Sequence, residues 1–292
     1  MEMLRDVLLE TLTDSVKMLP FLYLAYLLIE AIERRHGARI ERALAGGGRW
    51  GFVPGAALGC IPQCGFSAVA ANFYASRVIT LGTLMAVYLA TSDEAVPLLA
   101  SVPGEWGLLA GLLVFKLCYG MAVGFVLDFV LARVLPAGLR GGYTGHAAEV
   151  DCHERHEGNE GSIWLAAARH TAEIFVFILL FGFAFALIVE AVGQKAFAAA
   201  LAGLGFWQPL LAALVGLIPN CAASVLLTQL YLDGALRFSS LIAGLCSGAG
   251  IGLAVLWRVN PSVKQNLFIT GLLWALGSLA GVLLQGAALL VR

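Results

Sequence analysis

The chain has 292 residues, of which 60% are hydrophobic and 13% are charged, and its net charge is −1. Soluble domains carry about 25% charged residues, so this composition excludes an ordinary soluble protein. It indicates an all-α, polytopic membrane protein whose partner is the lipid bilayer. A near-neutral chain without a basic stripe also excludes nucleic acid as a partner.

The first membrane repeat is predicted to cover residues 1–136. Its apolar segments are 15–33, 51–76, 79–102 and 107–134. The third segment is interrupted by polar residues and by Pro97, whereas the fourth is predicted to be one continuous helix. That helix contains Lys116, expected to pair with an acid or an anionic substrate, and Asp128, expected to reach its charge toward the membrane surface.

A polar linker, residues 137–162, separates this repeat from a second one at residues 163–292. The second repeat has the same plan. Its apolar segments are 166–192, 206–232, 238–257 and 265–290. Counting each arm of the two motif-containing segments, 51–76 and 206–232, as a separate helix gives about ten helices in the whole chain.

One short phrase occurs in both repeats. GCIPQC begins at Gly59 and GLIPNC begins at Gly216, an offset of 157 residues because 216 − 59 = 157. A proline removes a backbone donor and opens an apolar helix, which hydrocarbon tolerates only beside protein or a water-filled cavity. The sequence therefore predicts an internal duplication in which Pro62 and Pro219 act as hinges.

The relative orientation of the repeats depends on whether each motif segment spans the membrane. If it spans, each repeat crosses four times and the repeats are parallel, with Lys and Arg shared evenly between the two sides. If it is a re-entrant hairpin, each repeat crosses three times, the repeats are inverted, and most Lys and Arg residues fall on one side. The positive-inside rule favours the inverted arrangement, with both termini outside and the linker in the cytoplasm.

Polar residues adjoin the two prolines and are the candidate substrate-binding residues: Gln63, Cys64 and Ser67, and Asn220, Cys221 and Ser224. Opposed hairpins would bring amides, thiols and free carbonyls to one point near the midplane, where Cys64 and Cys221 would bind a soft or borderline metal ion. The alternative is that Cys and Ser are simply small residues that let helices pack closely.

Two adjacent acids, Asp93 and Glu94, lie in an apolar segment, and their counterparts in the second repeat, Gly250 and Ile251, are uncharged. A carboxylate inside a membrane is by default a site for a cation or a proton. We expect both acids to bind a metal ion or to couple transport to protons. The alternative is a solvated helix break near the membrane surface.

The linker offers a second candidate metal site. Its ligand-type residues include His146, Cys152, His153 and His156. Their spacing fits no closed tetrahedral module, so a site here would act as a sensor or collector. The alternative is an ordinary solvated linker.

These motifs resemble a bacterial family of ten-helix heavy-metal exporters, also labelled manganese transporters and distantly grouped with organoarsenical efflux permeases. The resemblance rests on the IPQCGFS and IPNCAAS phrases, the two repeats and the central polar linker, and it covers nearly the whole length. This linker has fewer His and Cys residues than we expect of that family. The resemblance implies export of a metal or metalloid without fixing the ion.

The sequence hypothesis is a secondary-active transporter of the bacterial inner membrane that exports a divalent metal ion such as Mn²⁺ against protons by alternating access. The chain has no GxxxxGK[ST] phrase for ATP, and we expect neither a resident cofactor nor enzymatic activity. One alternative is a permease for a metalloid, an organic anion or a neutral solute. Another is a membrane enzyme or lipid translocase in which the acids and His170 handle a phosphate head group. A homo-oligomer is left open.

Overall fold

The computed structural model of the protein describes residues 50–61, 65–92, 95–102, 104–141, 205–219 and 221–290, with scattered positions in 12–27 and 164–203. This part is helical and contains no strand, although one β-bridge joins Thr80 to Gly141. Three of its stretches are long and apolar enough to cross a membrane: Trp106–Arg133, Phe238–Val259 and Val263–Ala288. The prediction of an all-helical, multi-pass membrane protein is confirmed.

The described helices form two groups. The first group contains α1 (Phe52–Gly59), α2 (Gly65–Ala75), α3 (Leu81–Ala90), α4 (Ala95–Ser101), α5 (Trp106–Phe125) and the short α6 (Ala137–Arg140). A π-turn (Val126–Val130) and a 3-10 turn (Leu131–Arg133) extend α5. The second group contains α7 (Gln208–Gly216), α8 (Cys221–Leu232), α9 (Phe238–Ser247), α10 (Ile251–Val259) and α11 (Val263–Leu290). Adding 157 to the bounds of α1 through α4, and to the start of α5, gives the bounds of the second group within one residue.

Proline occurs in the first turn of a described helix as well as at helix breaks. Pro97 was predicted to interrupt its segment, but it is the third residue of α4. The first-turn N–H groups of a helix have no intrahelical partner, so a proline there costs no hydrogen bond. The interruption is therefore shorter than predicted and begins at Thr91, directly after α3.

Asp128 corrects another expectation. Its side chain is 6% exposed and does not reach the surface. It accepts hydrogen bonds from Thr80 Oγ1 at 2.5 Å and from the backbone N–H of Gly82 at 3.1 Å. Asp128 therefore caps the N-terminus of α3, where an acidic group is favourable. The sequence could not show this, because the cap comes from a helix about 45 residues further along the chain.

In the second group a different residue performs this capping. Gln208, at the start of α7, accepts from the backbone N–H of Arg237 at 3.2 Å and from Ser240 Oγ at 2.9 Å. Its amide also donates to the carbonyl of Ala235 at 3.1 Å. The two groups thus cap equivalent helices, α3 and α9, from different neighbours.

Helices α1 and α3 lie side by side and run in the same direction. A Cβ on Gly51 would be 2.7 Å from Thr83 Oγ1, and a Cβ on Gly59 would be 2.9 Å from the Cβ of Ala90. Only glycine permits this approach at both ends of α1. Helix α2 ends just before the turn that starts α3. The start of α1 and the end of α2 therefore both lie at the end of the molecule where α3 begins.

Helix α5 runs in the opposite direction to α3. A Cβ on Gly124 would be 3.1 Å from the carbonyl oxygen of Gly82, and one on Gly120 would be 2.9 Å from that of Ala86. In the second group, α11 passes α9 in the same antiparallel sense. A Cβ on Gly281 would be 2.7 Å from the carbonyl oxygen of Ser239. Glycines thus set both close packings.

Contacts between the groups fix which helix ends lie together. Gln265, near the start of α11, donates to the carbonyl of Gly138 at 3.1 Å, and Arg77, just after α2, donates to the same carbonyl. The start of α11 therefore lies at the end of the molecule where α2 ends and α3 begins. The start of α9 packs near Gly281, about 24 Å further along α11 at 1.5 Å per residue. Helices α3 and α9 thus begin at opposite ends.

The stretch from α9 to α10 is the centre of the molecule. In its most apolar window, 94% is buried inside the protein. The corresponding share is 33% for the stretch that contains α5 and 33% for the stretch that contains α11. The latter two helices therefore turn most of their surface to lipid. Trp50, Trp106 and Trp207 are all more than 60% exposed, which suits the membrane–water interface.

Candidate functional site

A small cavity lies where broken helices of both groups meet. Its lining includes Thr91 and Ser92 after α3, Gly216 at the end of α7, Ser224 in α8, and Leu245 and Gly250 around the end of α9. These residues are far apart in the sequence, and each lies at or near a helix end. The break after α7 belongs to the second proline motif, whereas the breaks after α3 and α9 lie outside both motifs.

The cavity is narrow. Its free space holds about one water-sized particle, which suits an ion with few or no water molecules. Gly250 has a φ of +52°, a left-handed conformation that favours glycine. This glycine allows the chain to turn sharply between α9 and α10 at the cavity wall.

Three residues of the cavity lining, Thr91, Ser92 and Ser224, carry a hydroxyl group, and the others are glycine or apolar. Thr91 Oγ1 donates to the carbonyl of Val87 at 2.8 Å, and Ser92 Oγ donates to that of Ala90 at 3.1 Å. The proton of each hydroxyl is thus engaged in a hydrogen bond, and the lone pairs of its oxygen can coordinate a cation. Both residues are 3% exposed, so the site is shielded from bulk solvent.

Lys116 lies against the cavity wall. The side chain is completely buried, and its ammonium donates to the carbonyls of Thr91 and Leu245, the latter at 2.6 Å. These carbonyls belong to the C-terminal ends of α3 and α9. Helix C-termini carry about −0.5 elementary charge each, so the two ends together balance about one ammonium charge.

The paired motifs occupy different environments in the two groups. Ser224 lines the cavity. Ser67 is completely buried but packs against Gly252 of α10. A Cβ added to Gly252 would be 2.6 Å from the Cβ of Ser67. Pro219 is half-buried in the break between α7 and α8.

The other predicted site residues are not described, except that Cys221 begins α8 without a described side chain. Outside the described residues lie Pro62, Gln63, Cys64, Asp93, Glu94, Asn220, His146, Cys152, His153 and His156. Asp93 follows Ser92 directly in the sequence.

One position in the cavity wall holds a larger residue in the first group. Tyr88 stands at the position equivalent to Leu245, since 88 + 157 = 245. Its ring is completely buried, and its hydroxyl donates to the carbonyl of Gly252 at 2.8 Å. A tyrosine in place of a leucine thus adds volume and a hydrogen bond between the groups.

Described ionisable side chains do not assemble a conventional metal centre. In the described ranges no three His, Cys, Asp or Glu side chains come together. Cys246 is completely buried within α9, and Cys60 is half-buried at the end of α1. Sequence reasoning missed the carbonyl of Leu245 as part of the site. The small residues at 246–250, which interrupt an apolar helix, were the available signal.

A family model described as "Putative, 10TM heavy-metal exporter" (ArsP_2) matches residues 143–261. The predicted resemblance to heavy-metal exporters is confirmed. The matched stretch contains α7 to α10, and hence most of the cavity wall around Ser224, Leu245 and Gly250. No curated protein and no solved structure matches the chain. The match supports a membrane metal transporter rather than an enzyme.

Proposed function

We propose that the protein is a secondary-active transporter that exports a divalent metal ion of the Mn²⁺ type across the bacterial inner membrane. The observation that carries the proposal is the small cavity at the meeting point of the helix breaks, whose largely apolar wall includes the hydroxyl residues Thr91, Ser92 and Ser224. The matched family of heavy-metal exporters supports the same class of substrate. The energy would come from an ion gradient, since the sequence lacks a nucleotide-binding phrase.

The chemistry of the cavity favours a hard cation. Hydroxyl and carbonyl oxygens suit Mn²⁺, whereas soft thiolate sites select Cu⁺ or Zn²⁺. Asp93 and Glu94 follow Ser92 in the chain and would supply the charge that neutral oxygens lack. We propose that they bind the ion and exchange it for protons, and that the residues next to the two prolines complete the site.

Alternating access would follow from inverted repeats. Helices α3 and α9 begin at opposite ends, and the α1–α2 and α7–α8 pairs each return toward the end where they start, which supports two inverted repeats with re-entrant hairpins. We propose that residues 1–136 and 163–292 are these repeats, with about ten helices in all. Pro62 and Pro219 would be the hinges, and the linker at 137–162 a cytoplasmic metal collector.

Lys116 raises the second candidate, a permease for an anion or metalloid. A buried ammonium beside a cavity would favour a negative substrate. However, the C-termini of α3 and α9 offset that charge, and the cavity holds about one water-sized particle. Both points favour the cation. The membrane-enzyme and lipid-translocase alternative has no support among the described residues.

Flux into proteoliposomes tests the proposal. The purified protein would be assayed with Mn²⁺, Zn²⁺, Co²⁺ and Cd²⁺, with and without a pH gradient, beside the Asp93→Asn, Glu94→Gln double variant. We expect saturable Mn²⁺ flux that dissipates the pH gradient and is lost in the double variant. Absence of flux for every cation, with a well-folded protein, would refute cation transport. Unchanged flux in the variant would refute the role of the acids.

A further inference from the structure

We propose that Lys116 is a tethered competitor of the transported cation: its ammonium occupies carbonyl oxygens that the ion must use, so the two cannot bind there together. This inference rests on the proposed export of a cation. It assigns a specificity-determining role to a residue of α5, outside both proline motifs. It also explains why a cation site contains a buried lysine.

The geometry places the ammonium on atoms of the site itself. Thr91 and Leu245 both line the cavity, and the backbone carbonyl oxygens of both accept hydrogen bonds from the Lys116 ammonium. Carbonyls at the C-terminal ends of broken helices are the groups that coordinate cations in transporters with such helices. An ammonium and a metal ion are both cations that seek the same lone pairs.

The position itself does not require a lysine for packing. The equivalent residue of the second group is Leu273, since 116 + 157 = 273, and it is also completely buried. The scaffold therefore accommodates a shorter, apolar side chain at this place on the equivalent helix. Lys116 therefore introduces a charge that the equivalent position of the other repeat lacks. Its ammonium reaches two residues of the cavity wall.

Occupation of the two carbonyls also joins the groups. Thr91 follows α3 and Leu245 lies in the last turn of α9, so one ammonium holds a helix end of each group. Entry of a cation would displace the ammonium and release this connection. Binding at the site is thereby coupled to movement of one group against the other, which alternating access requires.

Equilibrium binding to the purified full chain in detergent tests the competition. The dissociation constants for Mn²⁺, Zn²⁺, Co²⁺ and Cd²⁺ would be measured for wild type, Lys116→Leu and Tyr119→Phe. Tyr119 is the matched control, because it lies on the same helix and its hydroxyl donates to a carbonyl of the other group, that of Leu276 at 2.7 Å. Leu276 is not part of the cavity lining.

We expect Lys116→Leu to bind its preferred ion about tenfold or more tightly than wild type, and Tyr119→Phe to match wild type. Equal or weaker binding by a folded Lys116→Leu overturns the inference while leaving cation transport intact. If neither wild type nor Lys116→Leu binds any of the four ions, both the inference and the proposed function fail.

A second measurement on the wild type does not depend on the folding of a variant. Acylation of lysines by a small membrane-permeant reagent would be followed by mass spectrometry with and without Mn²⁺. Displacement predicts that Mn²⁺ increases the labelling of Lys116 and leaves that of the exposed Lys264 unchanged. If the ion leaves Lys116 labelling unaltered, or lowers it, the ammonium is not displaced and the inference is wrong.

Discussion

Replacement of Asp128 by alanine is expected to destabilise the protein strongly. The change removes both acceptors at the N-terminus of α3. Thr80 can turn its hydroxyl to Thr83 Oγ1, already 2.9 Å away, so its loss is small. The buried N–H of Gly82 has no such substitute. Summing a lost charge-assisted hydrogen bond and an unpaired buried donor gives about 2–4 kcal/mol of unfolding free energy.

The second group provides a matched control for this experiment. Gln285 stands at the equivalent position, since 128 + 157 = 285, and is similarly buried at 7% exposure. Its Oε1 has no hydrogen-bond partner in the structure. Replacement by leucine therefore removes an unsatisfied polar atom, and we expect a change within about 1 kcal/mol of zero or a gain in stability.

Both variants would be compared with wild type by titrating SDS into detergent micelles and following tryptophan fluorescence. The separation between Asp128→Ala and Gln285→Leu is the quantity that tests the reasoning. If Asp128→Ala costs less than about 1 kcal/mol, the capping role deduced from its two hydrogen bonds is wrong. Equal losses in the two variants would show that burial at this position, rather than capping, sets the stability.

Three further predictions concern packing, the cavity and the topology. Gly216→Ala should prevent correct folding, because the new Cβ would overlap the carbonyl of Gly244. Gly286→Ala, with open space around it, should fold normally. The yield of each variant after solubilisation in detergent measures the difference. Ser224→Ala removes an oxygen from the cavity and should lower Mn²⁺ flux about tenfold at low concentration; unaltered flux would exclude Ser224 as a ligand. Ser76 and Asp233 occupy equivalent turns, and each would be replaced by cysteine in a background without other reactive thiols. If the repeats are inverted, a membrane-impermeant thiol reagent labels the two cysteines from opposite sides of the membrane. Labelling from one side would refute the inverted arrangement.

Some predictions from the sequence could be made without any tertiary information. The hydropathy identified a multi-pass helical membrane protein, and the phrases at Gly59 and Gly216 predicted the family whose model matches. Both are local properties: partition into lipid depends on composition along a segment, and a proline opens a helix wherever it stands. The sequence also indicated Ser224 as a substrate-binding residue, because it lies one turn beyond a helix break, and that role stays a prediction.

Other features depend on which helices become neighbours. The sequence indicated that Asp128 would extend toward the surface, but Gly82 lets α5 approach α3 so closely that the carboxylate caps it. Ser67 and Ser224 are equivalent in sequence, yet Ser67 packs against Gly252 of α10 whereas Ser224 lines the cavity, since different helices are their neighbours.

The link between Lys116 and the site was likewise decided by the tertiary structure. In the sequence it is a lone charge in an apolar helix, with either an acid or an anion as its expected partner. The fold brings it to the carbonyls of Thr91 and Leu245, which are 25 and 129 residues away. A residue's own chemistry can be deduced from its type, but the backbone atoms that satisfy a buried ammonium depend on helix packing between distant segments, which no local pattern encodes.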